Sequence, residues 1–344
     1  IALGGGAFFT GFLRYVLNIK ELKNIVNYAV VIGVICYASA QGILAIDIGQ
    51  PLRGWFIFWH ANVHSMLTEV AFCIMCYFMV LCVEYLPLIL ENRQIYKFSL
   101  PHSFAHHLHE AMPTIAAVGV FLSCFHQGSL GGVPGVLYAR PFAYREGFLV
   151  WPWTFFLFIL SAMASGPCFT ILITKFTEVL GGKQLVKKNV IDILAKIAGG
   201  LTALYVVLKI IDTLAWFGLA KEAGAPVKSF YANQPYGWWV LITEVIILGA
   251  VPAVLLMIRR TREKESVLVI ACILNCAGIL MNRWILTVQT LAVPVMPFDK
   301  FVNYYPNWVE WATTLLPVWA GAIVIMLSYR YLPIFPQERE LNPY

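Results

Sequence analysis

Charge is what this sequence has least of. Asp, Glu, Lys and Arg make up only 12% of its 344 residues, about half the share of an ordinary soluble domain. That scarcity excludes a soluble globular protein. The polar–apolar alternation of an outer-membrane barrel is also missing, because the apolar runs are long and unbroken. No basic stripe interleaved with solvent-facing aromatics is present, so nucleic acid is not a partner. The eight cysteines all lie in apolar runs. None forms a ferredoxin-type series, so the chain is not expected to hold an Fe–S cluster of its own. Cys73 and Cys76 have CxxC form only: they sit inside a hydrophobic span without a second ligand pair, and they read as packing residues. No signal peptide is visible, and Ile1 falls in mid-run, so an N-terminal segment is expected to be missing.

Apolar residues dominate what is there, at 60% of the chain, with a mean hydropathy of +0.75. A spanning helix needs roughly 20 such residues. Nine spans can be read, at 1–17, 28–46, 62–86, 104–125, 148–174, 190–218, 237–258, 266–291 and 311–332. The expected fold is therefore all-α, a polytopic membrane protein. The first span is short and glycine-rich (Gly4, Gly5, Gly6, Gly11), a composition that allows close helix approach.

Positive charge orients this bundle. The connections after odd-numbered spans carry fifteen Lys and Arg, and the opposite connections carry six. The richer side is expected to be cytoplasmic. The other, outer side has the longer connections, 127–147, 219–236 and 292–310, which are rich in aromatics and prolines.

Ionisable groups inside membrane segments are costly and mark function by default. Here they gather by depth, in the outer half: Asp47 at the end of the second span, Arg53, His60 and His64 before the third, Glu69 within it, then His126, Gln127, Glu244, Arg283 and Glu310. Plainer readings apply to some of the others. Lys209 with Asp212, and Asp192 with Lys196, have helical i,i+3 and i,i+4 spacing and read as local ion pairs. Asp47 and Arg53 can pair across the turn Asp47-Ile-Gly-Gln-Pro51. His60 and His64 share a face if the third span begins early. His102, His106, His107 and His109 form a basic-end cluster that is either interfacial or a proton entry.

His126 is the strongest single candidate. A histidine can hydrogen-bond a quinone carbonyl and exchange its proton near neutral pH. Reduction of a quinone to a quinol takes two electrons and two protons, which carboxylates such as Asp47, Glu69 or Glu244 can relay. The residue itself still reads equally well as a satisfied structural histidine.

The motifs carry a resemblance. Gly4-Gly-Gly-Ala-Phe8, Asp47-Ile-Gly-Gln-Pro51, His64-Ser-Met-Leu-Thr-Glu69, Val83-Glu-Tyr-Leu-Pro87, Leu122-Ser-Cys-Phe-His-Gln-Gly-Ser-Leu-Gly131, Ser161-Ala-Met-Ala-Ser-Gly166, Asn282-Arg283 and Tyr305-Pro-Asn-Trp-Val-Glu310 run in family order across nearly the whole chain. Together they resemble the NrfD/polysulfide-reductase-type membrane subunits, in the branch of the hydrogenase subunit HybB. Within it the chain looks most like the ten-helix subunits of the Hmc and quinone reductase complexes of sulfate-reducing bacteria. Gln50 stands where the family has arginine in the D-L-G-R-P turn, and Gly128 where it has serine.

That resemblance implies two four-helix bundles, 1–127 and 148–291, with a peripheral helix at 311–332 and a tenth helix in the full chain. It implies a respiratory subunit of the bacterial cytoplasmic membrane, active in sulfate respiration and inactive alone. Electrons would pass between a periplasmic ferredoxin-like Fe–S subunit, itself fed by a multihaem cytochrome c, and menaquinone or menaquinol. Other membrane subunits would belong to the same complex. No haem is expected in this chain. On these positions His126, Asp47 and Glu69 would be catalytic, and His126, Gln127, His64, Ser65 and Arg53 would contact quinone. Glu244, Arg283, His109 and His106 would serve a proton path.

Two rival readings remain. A haem-binding cytochrome b needs histidines paired at one depth across facing helices, yet His126 and the His102–His109 group fall on opposite sides. A secondary transporter or ion channel needs broken helices and repeat symmetry. Pro113, Pro167 and Pro252 can break helices, but no internal repeat is evident.

Overall fold

The computed structural model describes residues 1–92, 95, 97–136, 147–148, 151–222, 237–289, 291, 298, 300, 304–335 and 341. Lipid offers no hydrogen-bond partners, so apolar segments of this length satisfy their backbone internally, as helices. The long helices are α2 (Lys23–Asp47), α4 (Met66–Leu90), α5 (Ser99–Val136), α6 (Trp153–Gly181) and α7 (Lys188–Glu222). After these comes an interrupted span: α8 (Trp238–Ile242), a π-helical stretch Thr243–Ala250, and α9 (Val251–Met257). The short α10 (Arg259–Arg262) leads into α11 (Glu265–Trp284), which continues as π-helix to Gln289, and α12 (Trp308–Tyr331) closes the series. Two short helices complete it, α1 (Gly5–Gly11) and α3 (Phe56–Trp59). Eight helical segments among the described residues are long and apolar enough to cross a membrane. This is an all-α, multi-pass membrane protein.

The first glycine-rich span is shorter than the rest but lies deep: all seven residues of α1 are buried. Its position follows from Gly6 and Gly166. A Cβ on Gly6 would sit 2.5 Å from the Gly166 carbonyl oxygen, and one on Gly166 would run into the Gly6 backbone. Hydrogen in place of a side chain lets α1 lie directly on α6. Around that crossing α1, α2, α4 and α5 pack together, and α6 packs with α7 and α11; α5 and α1 each contact α6 and so join the two groups. α6 is accordingly the most enclosed spanning helix, and α12, resting on α2, the least. Tyr85 and Ser328 share a hydrogen bond of 2.9 Å that pins α12 to α4.

Two element boundaries differ from the sequence expectation, and both matter for function. α5 does not stop at Phe125 but continues to Val136. The stretch Gln127–Gly132 is polar and glycine-rich, which resembles a loop signal; in the fold those glycines admit the Phe155 and Phe158 rings of α6. His60, in turn, caps α3, while α4 begins only at Met66, so His60 and His64 do not share a helical face.

Candidate functional site

His126 lies within α5, wholly buried, between Tyr37 of α2 and Tyr77 of α4. The Tyr37 ring meets it edge-on with centroids 5.4 Å apart, and the Tyr77 centroid is 5.6 Å away. Its hydrogen bonds define its tautomer. Nδ1 is 2.9 Å from the Leu122 carbonyl oxygen, which can only accept, so Nδ1 carries the hydrogen. In the neutral ring Nε2 then accepts, and the Tyr37 hydroxyl donates to it at 2.7 Å. Gln127 Nε2 donates to the same hydroxyl oxygen at 3.4 Å. The result is a one-directional chain from Gln127 through Tyr37 and His126 to the α5 backbone. Such a chain holds a neutral imidazole and gives it one exchangeable neighbour, a phenol.

Depth is the second property of this group. Tyr37 stands ten residues before the outer end of α2, and Tyr77 eleven after the outer start of α4. At about 1.5 Å per residue that is some 15 Å below the helix ends. In a hydrocarbon layer of about 30 Å, His126 sits near mid-depth rather than at the outer surface. The extension of α5 beyond Phe125 is what sinks it.

The remaining expected site residues form an upper tier. Glu69 is half-buried two turns outward from Tyr77 on α4. Ser65 is half-buried just before that helix, and His64 and Arg53 are exposed. The backbone NH of His64 donates to Asn62 Oδ1 at 3.0 Å. Asp47 ends α2, and its side chain lies outside the described residues. Between the tiers, Ser129 Oγ on α5 and Thr154 Oγ1 on α6 are buried without a hydrogen-bond partner. Sequence reasoning missed Tyr37, Tyr77, Ser129 and Thr154, because hydroxyls on otherwise apolar spans look like ordinary packing residues.

A second buried polar group occupies the other half of the molecule. Glu244, on the π-helical stretch between α8 and α9, pairs with Lys209 of α7 at 3.3 Å and accepts from Asn282 Nδ2 at 2.7 Å. Lys209 thus gains a partner from another helix, beyond the local pairing that its spacing to Asp212 suggests. Arg283 donates to Asn282 Oδ1 at 3.3 Å, to the Phe158 carbonyl at 3.0 Å and to Ser161 Oγ at 2.8 Å. Its guanidinium carbon also stands 3.4 Å over the Phe158 ring. Asp192 pairs likewise with a residue far along the chain, Arg262, at 2.8 Å.

At the basic end, His109 contacts Glu91 at 2.6 Å, and His106 lies 3.6 Å from Glu110. His109, Glu84, Tyr15 and Asn27 border a cavity of about 20 Å³ in the first helix group. Among the described residues no group of three or more His, Cys, Asp or Glu is placed to hold a metal ion.

The class that fold and sequence define is that of multi-pass helical membrane subunits, here with a buried His–Tyr–Gln chain between α2, α4 and α5. Residues 1–294 match the family described as Polysulphide reductase, NrfD, and the chain belongs to that family. It is 54% identical to the menaquinone reductase integral membrane subunit of Nitratidesulfovibrio vulgaris (strain Hildenborough), over 99% of this chain and 82% of that protein. More distant relatives are a selenate reductase subunit of Mesobacillus selenatarsenatis (23% identical, 99% and 85% covered) and the probable Ni/Fe-hydrogenase 2 b-type cytochrome subunit of Escherichia coli (27% identical, 95% and 78% covered).

Proposed function

We propose that this chain is the quinone-reactive integral membrane subunit of a respiratory oxidoreductase complex in a bacterial cytoplasmic membrane. Menaquinone is the substrate, as the name of the 54% identical relative suggests. One observation carries the assignment: a neutral histidine buried among aromatic rings, with its acceptor nitrogen facing a phenol. Aromatic surroundings suit a flat, apolar quinone ring, and a histidine–phenol pair can exchange a proton at its carbonyl.

In this reading two electrons reach the quinone from a periplasmic Fe–S subunit, fed by a multihaem cytochrome c, while this chain manages the two protons. In quinol oxidation the quinol hydroxyl gives its proton to the Tyr37 oxygen while the Tyr37 proton moves to His126 Nε2, leaving an imidazolium. Quinone reduction runs the same transfers in reverse from a His126 first protonated at Nε2, so the pair acts as one acid–base unit. Gln127 steadies the Tyr37 oxygen through the exchange. Asp47, Glu69, His64, Ser65 and Arg53 form the outer tier, which admits the ring and exchanges protons with the outer surface. Electrons enter only through the partner, so the chain alone is inactive.

Two further parts belong to the same proposal. The first is the division into a bundle over 1–127, a bundle over 148–291 and a peripheral helix over 311–332. The second is a proton path: His106 and His109 at the basic end lead by way of Glu84 toward Tyr77, two turns along the same face of α4, while Glu244 and Arg283 serve the second bundle. The haem reading is less well supported, since both ring nitrogens of His126 are already engaged.

The test is quinol-analogue binding to the purified complex, wild type beside His126→Ala. The reading expects loss of binding in an otherwise assembled complex, with turnover down by about 10²–10⁴-fold. Unchanged binding and turnover would make His126 structural.

A further inference from the structure

Away from the His126 group, a cavity of about 430 Å³ opens at the basic end of the second helix group. It lies where α6 ends, α7 begins, and α10 meets α11, the level at which helices leave the hydrocarbon. Its inner wall is apolar, formed by Ile191, Ala195 and Leu268, all buried. Its rim is charged, with exposed Lys188 and Arg259 standing on opposite elements.

The frame between them is rigid. Lys175 bridges Glu178 at 2.8 Å and Glu265 at 3.0 Å, tying α6 to α11. Arg262 is buried and holds Asp192 of α7, while its Nη1 donates to the Leu256 and Met257 carbonyls at 2.8 and 2.7 Å. These contacts consume Asp192, Glu178 and Glu265, and Glu263 meets Arg259 at the exposed rim at 2.8 Å, yet the bounding segments 175–192 and 259–265 hold eight Lys and Arg against four carboxylates. A cavity with a fixed floor and a surplus of positive charge remains.

We propose that this cavity is a binding site for an anionic phospholipid, with its phosphodiester at the Lys188–Arg259 rim and its glycerol and first acyl carbons against Ile191, Ala195 and Leu268. The physical reasons are position and polarity. Basic pockets between transmembrane helices at the headgroup level attract anionic lipid, and each nearby cation adds to the affinity. A soluble phosphate would use the rim and leave the apolar wall wet. A lipid matches both, and it bridges the α6–α7 turn to the α10–α11 segment.

The experiment uses the whole complex, stripped of lipid and returned to micelles. Lipid retention is read by native mass spectrometry and protection by thermal unfolding. The probes are phosphatidylglycerol, phosphatidylcholine with the same acyl chains, and glycerol phosphate. Wild type is compared with Lys188→Gln/Arg259→Gln and with a charge-matched control at the other helix group, Lys20→Gln/Lys23→Gln. Expected is retention of and protection by phosphatidylglycerol, weakened about thirtyfold by losing the two rim cations and unchanged in the control. Equal retention of phosphatidylcholine, or undiminished retention in the rim variant, overturns the site. Equal protection by glycerol phosphate overturns the lipid assignment in favour of a soluble ligand. If the double variant fails to assemble, Lys188→Gln alone carries the test, with about a fivefold loss expected and no loss overturning the site.

Discussion

Tyr37 is the residue on which the candidate site turns, because its hydroxyl both accepts from Gln127 and donates to His126. Tyr37→Phe keeps the ring and removes that junction, leaving Nε2 buried without a donor. A buried acceptor left unpaired costs about 1–3 kcal/mol, so the assembled complex should unfold at a lower temperature. Its quinone-linked turnover should fall about tenfold or more if Tyr37 relays the proton. Normal turnover at lowered stability would leave Tyr37 a packing residue. The other residue-scale test concerns Lys209. Lys209→Met strands the Glu244 carboxylate, and breaking such a buried pair costs about 3–5 kcal/mol. The double variant Lys209→Met/Glu244→Leu removes both charges and should regain much of that loss in thermal unfolding. If the two single losses simply add, the 3.3 Å contact carries no coupling.

At the scale of elements, the α1–α6 crossing decides how the two helix groups meet. Gly166→Ala forces a methyl group into the Gly6 backbone. Overpacking of this kind costs about 1–3 kcal/mol, and thermal unfolding should show it, whereas Gly200→Ala on α7, where a Cβ meets nothing, should cost no stability and can add to it. The interruption of the seventh span has a similar meaning. A π-helical stretch turns Glu244 toward Lys209 and Asn282, as such distortions commonly do at functional positions. The start of α12 is better insulated: Asn307 and Glu310 form a reciprocal capping box.

At the scale of the molecule, the asymmetry of fifteen cations against six sets an orientation that fusion reporters can check. Alkaline phosphatase is active only outside the cytoplasm, so fusions within 182–187 should be inactive and fusions within 223–236 active. The opposite pattern would invert the membrane topology and move the His126 tier to the other entrance. Orientation matters because, in the proposed reading, a quinone site near mid-depth can draw protons from either side, and only the path selects which.

Much was legible in the residues themselves. Low charge and long apolar runs compel helices in lipid, since backbone groups there have no other partners. The family motifs likewise stand in the linear order of the chain, and His126 stood out as a histidine beside a membrane span. Its true depth did not, because Gln127–Gly132 carries a loop-like composition that only packing against Phe155 and Phe158 turns into helix. Tyr37 and His126 are 89 residues apart, and Glu244 reaches Lys209 and Asn282 from separate spans. Local pattern fixes which segments cross the membrane. Which side chains meet inside it depends on how helices rotate and approach one another, a choice made by contacts such as Gly6 on Gly166 that no single segment contains.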